Sequence, residues 1–159
     1  MLQRLLTIVF ATSVMAMTAL PVQAGTTVAA VAPAASPVER AMQCGDTTDC
    51  PYFPELYDSD RAFRQALLTE LKKADIRRPS WVPNGVTTPL RPVEIDGSTR
   101  ILSSVCEPHN CGHYFLVLYD PATSAVTGLY TGRDKTGTVQ TRYFGRPSIA
   151  EAALLKNNN

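Results

Sequence analysis

Four side chains able to bind a metal or attack a carbonyl crowd into the stretch "SSVCEPHNCGHY", Ser103 to Tyr114: Cys106, His109, Cys111 and His113. Thiolate and imidazole are soft or borderline ligands, so the Cys-x2-His-x-Cys-x-His run raises the idea of zinc. Zinc motifs usually draw their ligand pairs from two separated segments, however, and both thiols would have to stay reduced. Catalysis by Cys106 or Cys111 with His109 as general base needs the same free thiolate. No G-x-S-x-G, H-E-x-x-H or Gly-rich phosphate loop accompanies them, and Asp and Glu are scattered as on an ordinary surface. The expectation is a protein that is not an enzyme and holds no metal and no cofactor.

Two readings of the stretch remain. In one, a bridge between Cys106 and Cys111 simply pins a turn, since closing so short a loop stabilises by about 2 kcal/mol, and His109 is idle. In the other the stretch is a recognition loop. Pro108 fixes a backbone dihedral, Gly112 lets the chain leave in a conformation other residues resist, and His109 is presented on a stiff tip. Such preorganisation lowers the ordering cost of binding.

The start of the chain bears on those thiols. Arg4 precedes an apolar run from Leu5 to Leu20 that closes on Val22-Gln23-Ala24, the pattern of a signal peptide over residues 1–24 cleaved after Ala24. The run is short, is interrupted by Thr12, Ser13 and Thr18, and ends at Pro21, which argues against a membrane anchor. Export, most in keeping with a bacterial periplasm, means oxidising conditions in which the four cysteines form bridges. Three connectivities are possible, and nearness in sequence favours Cys44 with Cys50 and Cys106 with Cys111.

Arg4 is the one charge in the leader, so the remainder sets 14 of the 15 Lys+Arg against 14 Asp+Glu and is formally neutral. Nucleic acid is not an expected partner: Lys72, Lys73, Arg77 and Arg78 read as a solvated helix end rather than a basic stripe.

The elements that must position the stretch follow from periodicity. Residues 25–37, "GTTVAAVAPAASP", are small and uncharged and read as a flexible linker; residues 38–159 suit one domain with its own core. In "DSDRAFRQALLTELKKADI" Phe63, Ala66, Leu67, Leu71 and Ala74 share one helical face, with Asp58 or Ser59 as cap and Arg77-Arg78-Pro79 as terminator. Period two then takes over. Asp96-Gly97 predicts a hairpin between strands near Leu90–Ile95 and Thr99–Val105. "HYFLVLYD" reads as a buried central strand, "AVTGLYTGR" and "TVQTRYF" as two more, and Ser148 with Glu151 as the capping box of a last helix. The predicted class is α+β: an antiparallel sheet of about five strands with helices on one face, and the cysteine-bracketed stretch as a protruding hairpin loop at a sheet edge.

"CEPHNCG", Cys106 to Gly112, resembles the C-x-P-H-x-C-G loop of the bacterial inhibitor-of-vertebrate-lysozyme family, whose two variable positions are typically Lys and Asp. "PSWVPNGVTTPLRPVEIDG" resembles that family's Trp-Val-x-x-Gly-x-x-Thr-Pro segment, and "VTGLY", Val126 to Tyr130, one of its strands. The resemblance implies a periplasmic monomer or homodimer whose loop enters the active-site cleft of C-type lysozymes. It also implies that His109 is the inhibitory residue and that Cys106 and Cys111 form the bridge holding it. The chemistry is coherent: a retaining glycosidase works with two carboxyls about 5 Å apart, and an imidazole ring can address both at once.

Two positions depart from the pattern. Glu107 stands where Lys is usual and Asn110 where Asp is usual, one charge reversed and one removed. C-type lysozymes are basic overall with an acidic cleft, so the sign of the Glu107 effect is open. A divergent member could instead act on the bacterium's own lytic transglycosylases, or be purely structural. Cys44 and Cys50 lie outside the resembling segment and read as a second bridge tying the linker to the domain. Tyr114, Tyr130 and Tyr143 read as packed sheet residues.

Overall fold

In the computed structural model, residues 34–45, 49–134 and 136–158 are described. The expected leader and most of the expected linker lie outside them. In chain order the elements are helices α1 (Pro37–Met42), α2 (Phe53–Ser59) and α3 (Arg61–Lys73), strands β1 (Val86–Thr87), β2 (Arg91–Ile95), β3 (Ser98–Glu107), β4 (Asn110–Asp120), β5 (Ala125–Arg133) and β6 (Val139–Phe144), and helix α4 (Ile149–Asn157). The class is α+β, as expected. All strands join one antiparallel six-stranded sheet in the order β1-β3-β4-β5-β6, with β2 also paired to β3.

Each helix begins for a local reason. Ser36 caps α1, receiving the Glu39 N–H at 3.2 Å while the Glu39 carboxylate accepts from the Ser36 N–H at 2.7 Å, and Pro37 occupies a first-turn position whose missing N–H costs nothing. Asp60 caps α3, accepting from Phe63 N–H at 2.9 Å. It displaces the expected Asp58 and Ser59, which end α2; Ser59 donates back to Glu55 O at 2.6 Å. Ser148 and Glu151 form the capping box of α4.

The sheet is covered on both faces, which is why Phe115 to Asp120 of β4 are buried without alternation. On one face Ile101, Val105, Phe115, Val117 and Tyr119 meet Phe53, Leu56, Phe63, Leu67 and Leu71 of α2 and α3. On the other Leu102, Leu116, Leu118 and Leu129 meet Leu155 of α4. The helices thus divide between the faces, α4 opposite the rest, where a single covered face was expected. Period two explains the division: β4 is apolar or aromatic at every position from Tyr114 to Tyr119, so each face needs a cover.

An ion pair fastens α4. Arg100 lies 3.3 Å from Asp120 and 3.8 Å from Glu151. Burial pushes the Asp120 carboxyl up, but hydrogen bonds from Thr123 and Ala122 and the Arg100 charge outweigh it and hold it below the usual carboxylate value.

Candidate functional site

The Cys106–Cys111 stretch lies at one end of β3 and β4, the inner pair of the sheet, rather than along an edge strand. β3 runs to Glu107 and β4 starts at Asn110, so Pro108 and His109 alone make the turn. Pro108 is limited to negative φ and His109 has φ 64°, the sign pattern of a type II turn. Few residues besides Gly accept that second position; His is among the more tolerant. Both residues are exposed, as are Asn110, Cys111 and Gly112.

Below the tip the ladder is interrupted. Glu107 is opposite Asn110 but Cys106 is opposite Tyr114, leaving Cys111, Gly112 and His113 opposite no residue of β3. This bulge gives Cys111 its reach to Cys106: the two are disulfide-bonded with Cα atoms 4.9 Å apart. Cys44 and Cys50 form the second bridge, Cα to Cα 5.4 Å, and no described cysteine is free. Both pairings are the expected ones.

The departures from the usual loop sequence meet in space. The Glu107 carboxylate accepts from the Asn110 side-chain amide at 2.8 Å and lies 2.9 Å from His113 Nδ1, all on Oε2. Glu107 therefore points back along the loop as a shared acceptor that joins the turn to the bulge, rather than out beside His109. His113 Nε2 is buried with no partner among the described residues. The two histidines thus play opposite parts: His109 faces outward on the turn and His113 is tucked under it. His109, Cys111 and His113 do not converge; among the described residues no group of three or more His, Cys, Asp or Glu side chains is placed to share a metal ion.

The segments that carried the resemblance pack along the strands that carry the loop. A Cβ on Gly85 would sit 2.3 Å from Cys106 O, so only glycine lets β1 come so close to the base of the bridge. Trp81, earlier in that segment, packs on Phe115 with ring centroids 5.8 Å apart. A Cβ on Gly128 of "VTGLY" would sit 2.2 Å from the Phe144 ring and 2.4 Å from Leu116 O. Tyr130 packs on Phe115 at 4.7 Å, Tyr143 donates to Ala152 O at 3.3 Å and Tyr114 packs within the second core cluster. All three are sheet residues, as expected.

Fold and site define a small α+β domain that exposes one histidine on a bridge-closed hairpin tip. A family model described as inhibitor of vertebrate lysozyme (Ivy) matches residues 62–156, which takes in the whole sheet and nearly all of α3 and α4. The chain belongs to that family, and with membership come lysozyme inhibition as the function and lysozyme as the protein partner. It is also 30% identical over 112 residues to "Uncharacterized protein PA5481" of Pseudomonas aeruginosa, covering 64% of this chain and 72% of that one. Members of the family are periplasmic inhibitors, and no helix among the described residues is long and apolar enough to cross a membrane.

Proposed function

We propose that this chain inhibits C-type lysozyme by inserting the loop Cys106–Gly112 into the active-site cleft, with His109 between the two catalytic carboxyls. The observation that carries the reading is the setting of His109: exposed, at the second position of a two-residue turn, on a strand pair joined by a disulfide directly beneath it. A preset tip loses little freedom on binding, so its contact free energy survives as affinity. Imidazolium offers two N–H donors facing apart, and neutral imidazole one donor and one acceptor. Either form can address a protonated and an ionised carboxyl together. Blockade is steric and electrostatic, with no bond made or broken.

The position of Glu107 supports this reading. Its carboxylate is engaged by Asn110 and His113, so its charge is drawn back from the turn, and the acidic cleft meets His109 first. The reading includes export through a leader over residues 1–24 and work in the periplasm, where both bridges persist.

The test is inhibition of a C-type lysozyme by wild type and His109→Ala, with a goose-type enzyme and an endogenous lytic transglycosylase assayed in parallel. The proposal expects wild type to inhibit the C-type enzyme and the variant to be weaker by about a hundredfold, the loss typical of a central interface residue. Equal potency of the two proteins would remove His109 from the mechanism. Inhibition confined to the transglycosylase would move the target to the cell's own enzymes.

A further inference from the structure

A second feature lies at the same end of the sheet. Tyr114 of β4 is opposite Thr131 of β5, so the end of β5 and the start of β6 flank the loop's base. Beside them, between these strands and the residues that follow α3, is an open cleft of about 890 Å³. Five cationic side chains line it, Lys72, Arg77, Arg78, Arg133 and Arg142, against two carboxylates, Asp75 and Asp134.

None of the five cations makes an ion pair among the described residues, whereas Arg40, Lys73 and Arg100 each do. Asp134 is occupied elsewhere, accepting from Thr136, Thr138 and Gln140 at 2.6 to 3.2 Å. Attraction to the C-terminal end of α3 accounts for Lys72 and, through Ala74 O, for Arg142; it does not account for Arg133, which bonds Gly137 O instead. Three guanidiniums each donate to a backbone carbonyl: Arg78 to Val82 O, Arg133 to Gly137 O at 2.7 Å and Arg142 to Ala74 O at 3.4 Å. Leu71, Ile76 and Tyr130 give the cleft an apolar floor. Fixed guanidinium forks over an apolar floor suit planar carboxylates on a partly apolar ligand.

We propose that this cleft is a second binding site, for carboxylate-bearing cell-wall glycan. The inference rests on the family reading in one respect: wherever a lysozyme is inhibited, its substrate is at hand, a glycan whose acidic sugars and peptide substituents carry carboxylates. An inhibitor that holds that polymer beside its loop is concentrated where the enzyme must arrive. A domain with no net charge would gain nothing from bulk attraction to an anionic polymer, so a local cluster is the form such affinity has to take.

Co-sedimentation of the purified chain with protein-free insoluble peptidoglycan tests this, at low and high salt, with vesicles of anionic phospholipid as a separate arm. Lys72→Glu/Arg77→Glu is the informative variant, because both side chains are exposed and neither makes a hydrogen bond or ion pair among the described residues. The expected result is salt-sensitive binding to peptidoglycan by wild type, reduced about tenfold in the variant, with a melting temperature lowered by only a few degrees through the lost Lys72 contact with the end of α3 and unchanged inhibition of lysozyme acting on a soluble substrate. Wild type that stays in the supernatant, or a variant that sediments equally well, overturns the proposal. Vesicle binding as strong as peptidoglycan binding overturns it in favour of a lipid surface. Loss of inhibition in His109→Ala leaves the sedimentation result untouched, so the two sites succeed or fail separately.

Discussion

β3 ends in a tight turn at each extremity, and the two turns are built on different principles. At its start Asp96 and Gly97 both take positive φ, 50° and 73°, the geometry that suits the twist of a two-residue hairpin. Nothing lies within 4 Å of where a Gly97 Cβ would be, so that turn depends on the dihedral preferences of its own two residues. At its end the proline excludes that geometry, the ladder slips, and the turn is held by the Cys106–Cys111 bridge and by the Glu107 carboxylate between Asn110 and His113. A self-sufficient turn commits both positions to residues chosen for backbone reasons. A cross-braced turn asks of its second position only that it tolerate positive φ, which His does without being Gly.

Substitutions at the two ends of β3 should separate these principles. The largest effect is expected from His109→Asn, which tolerates positive φ and so keeps the turn while removing the ring: potency against C-type lysozyme should fall about a hundredfold with little change in melting temperature. Cys106→Ser/Cys111→Ser should cost about 2 kcal/mol in denaturant unfolding and weaken inhibition as well, whereas Cys44→Ser/Cys50→Ser should leave inhibition intact. Full potency without the Cys106–Cys111 bridge would show that the brace is not needed. Gly97→Ala, strained by about 1–2 kcal/mol because a Cβ resists the left-handed region, should lower stability and leave inhibition alone. The smallest effect belongs to Glu107→Gln: the loss of about 1 kcal/mol of charge-assisted bonding should lower the melting temperature by a few degrees and, through a looser tip, potency by no more than about fivefold. An improvement in potency would mean that the Glu107 charge repels the acidic cleft despite its bonds.

Much of this was legible in the chain. Asp96-Gly97, the apolar run of β4 and the Ser148 capping box place elements whose signals are local, and α3 follows from the spacing of Phe63, Leu67 and Leu71. The shorter helices were not read. α1 has only Pro37–Met42 in which to show a period, yet Ser36, Pro37 and Glu39 spell a helix start that would have moved the domain boundary earlier. β1 is too brief to alternate. At the loop, sequence identifies the bridge and the exposed histidine, because those depend on near neighbours. It does not reveal the slip in register that turns Glu107 toward His113, since either register satisfies the flanking strands' pattern. The cationic cleft was out of reach for a similar reason. Lys72, Arg77 and Arg78 read as a helix end until the sheet carries Arg133 and Arg142 beside them.

The seat of the hairpin tip has a mechanical consequence. β3 and β4 are both internal strands, each laddered on two sides and covered on two faces, so a thrust delivered to His109 along the strand axes passes into four neighbouring elements instead of bending a free margin. Under the proposed insertion, recoil would be shared by the doubly covered centre of the sheet, and accommodation would fall to the enzyme that receives the tip.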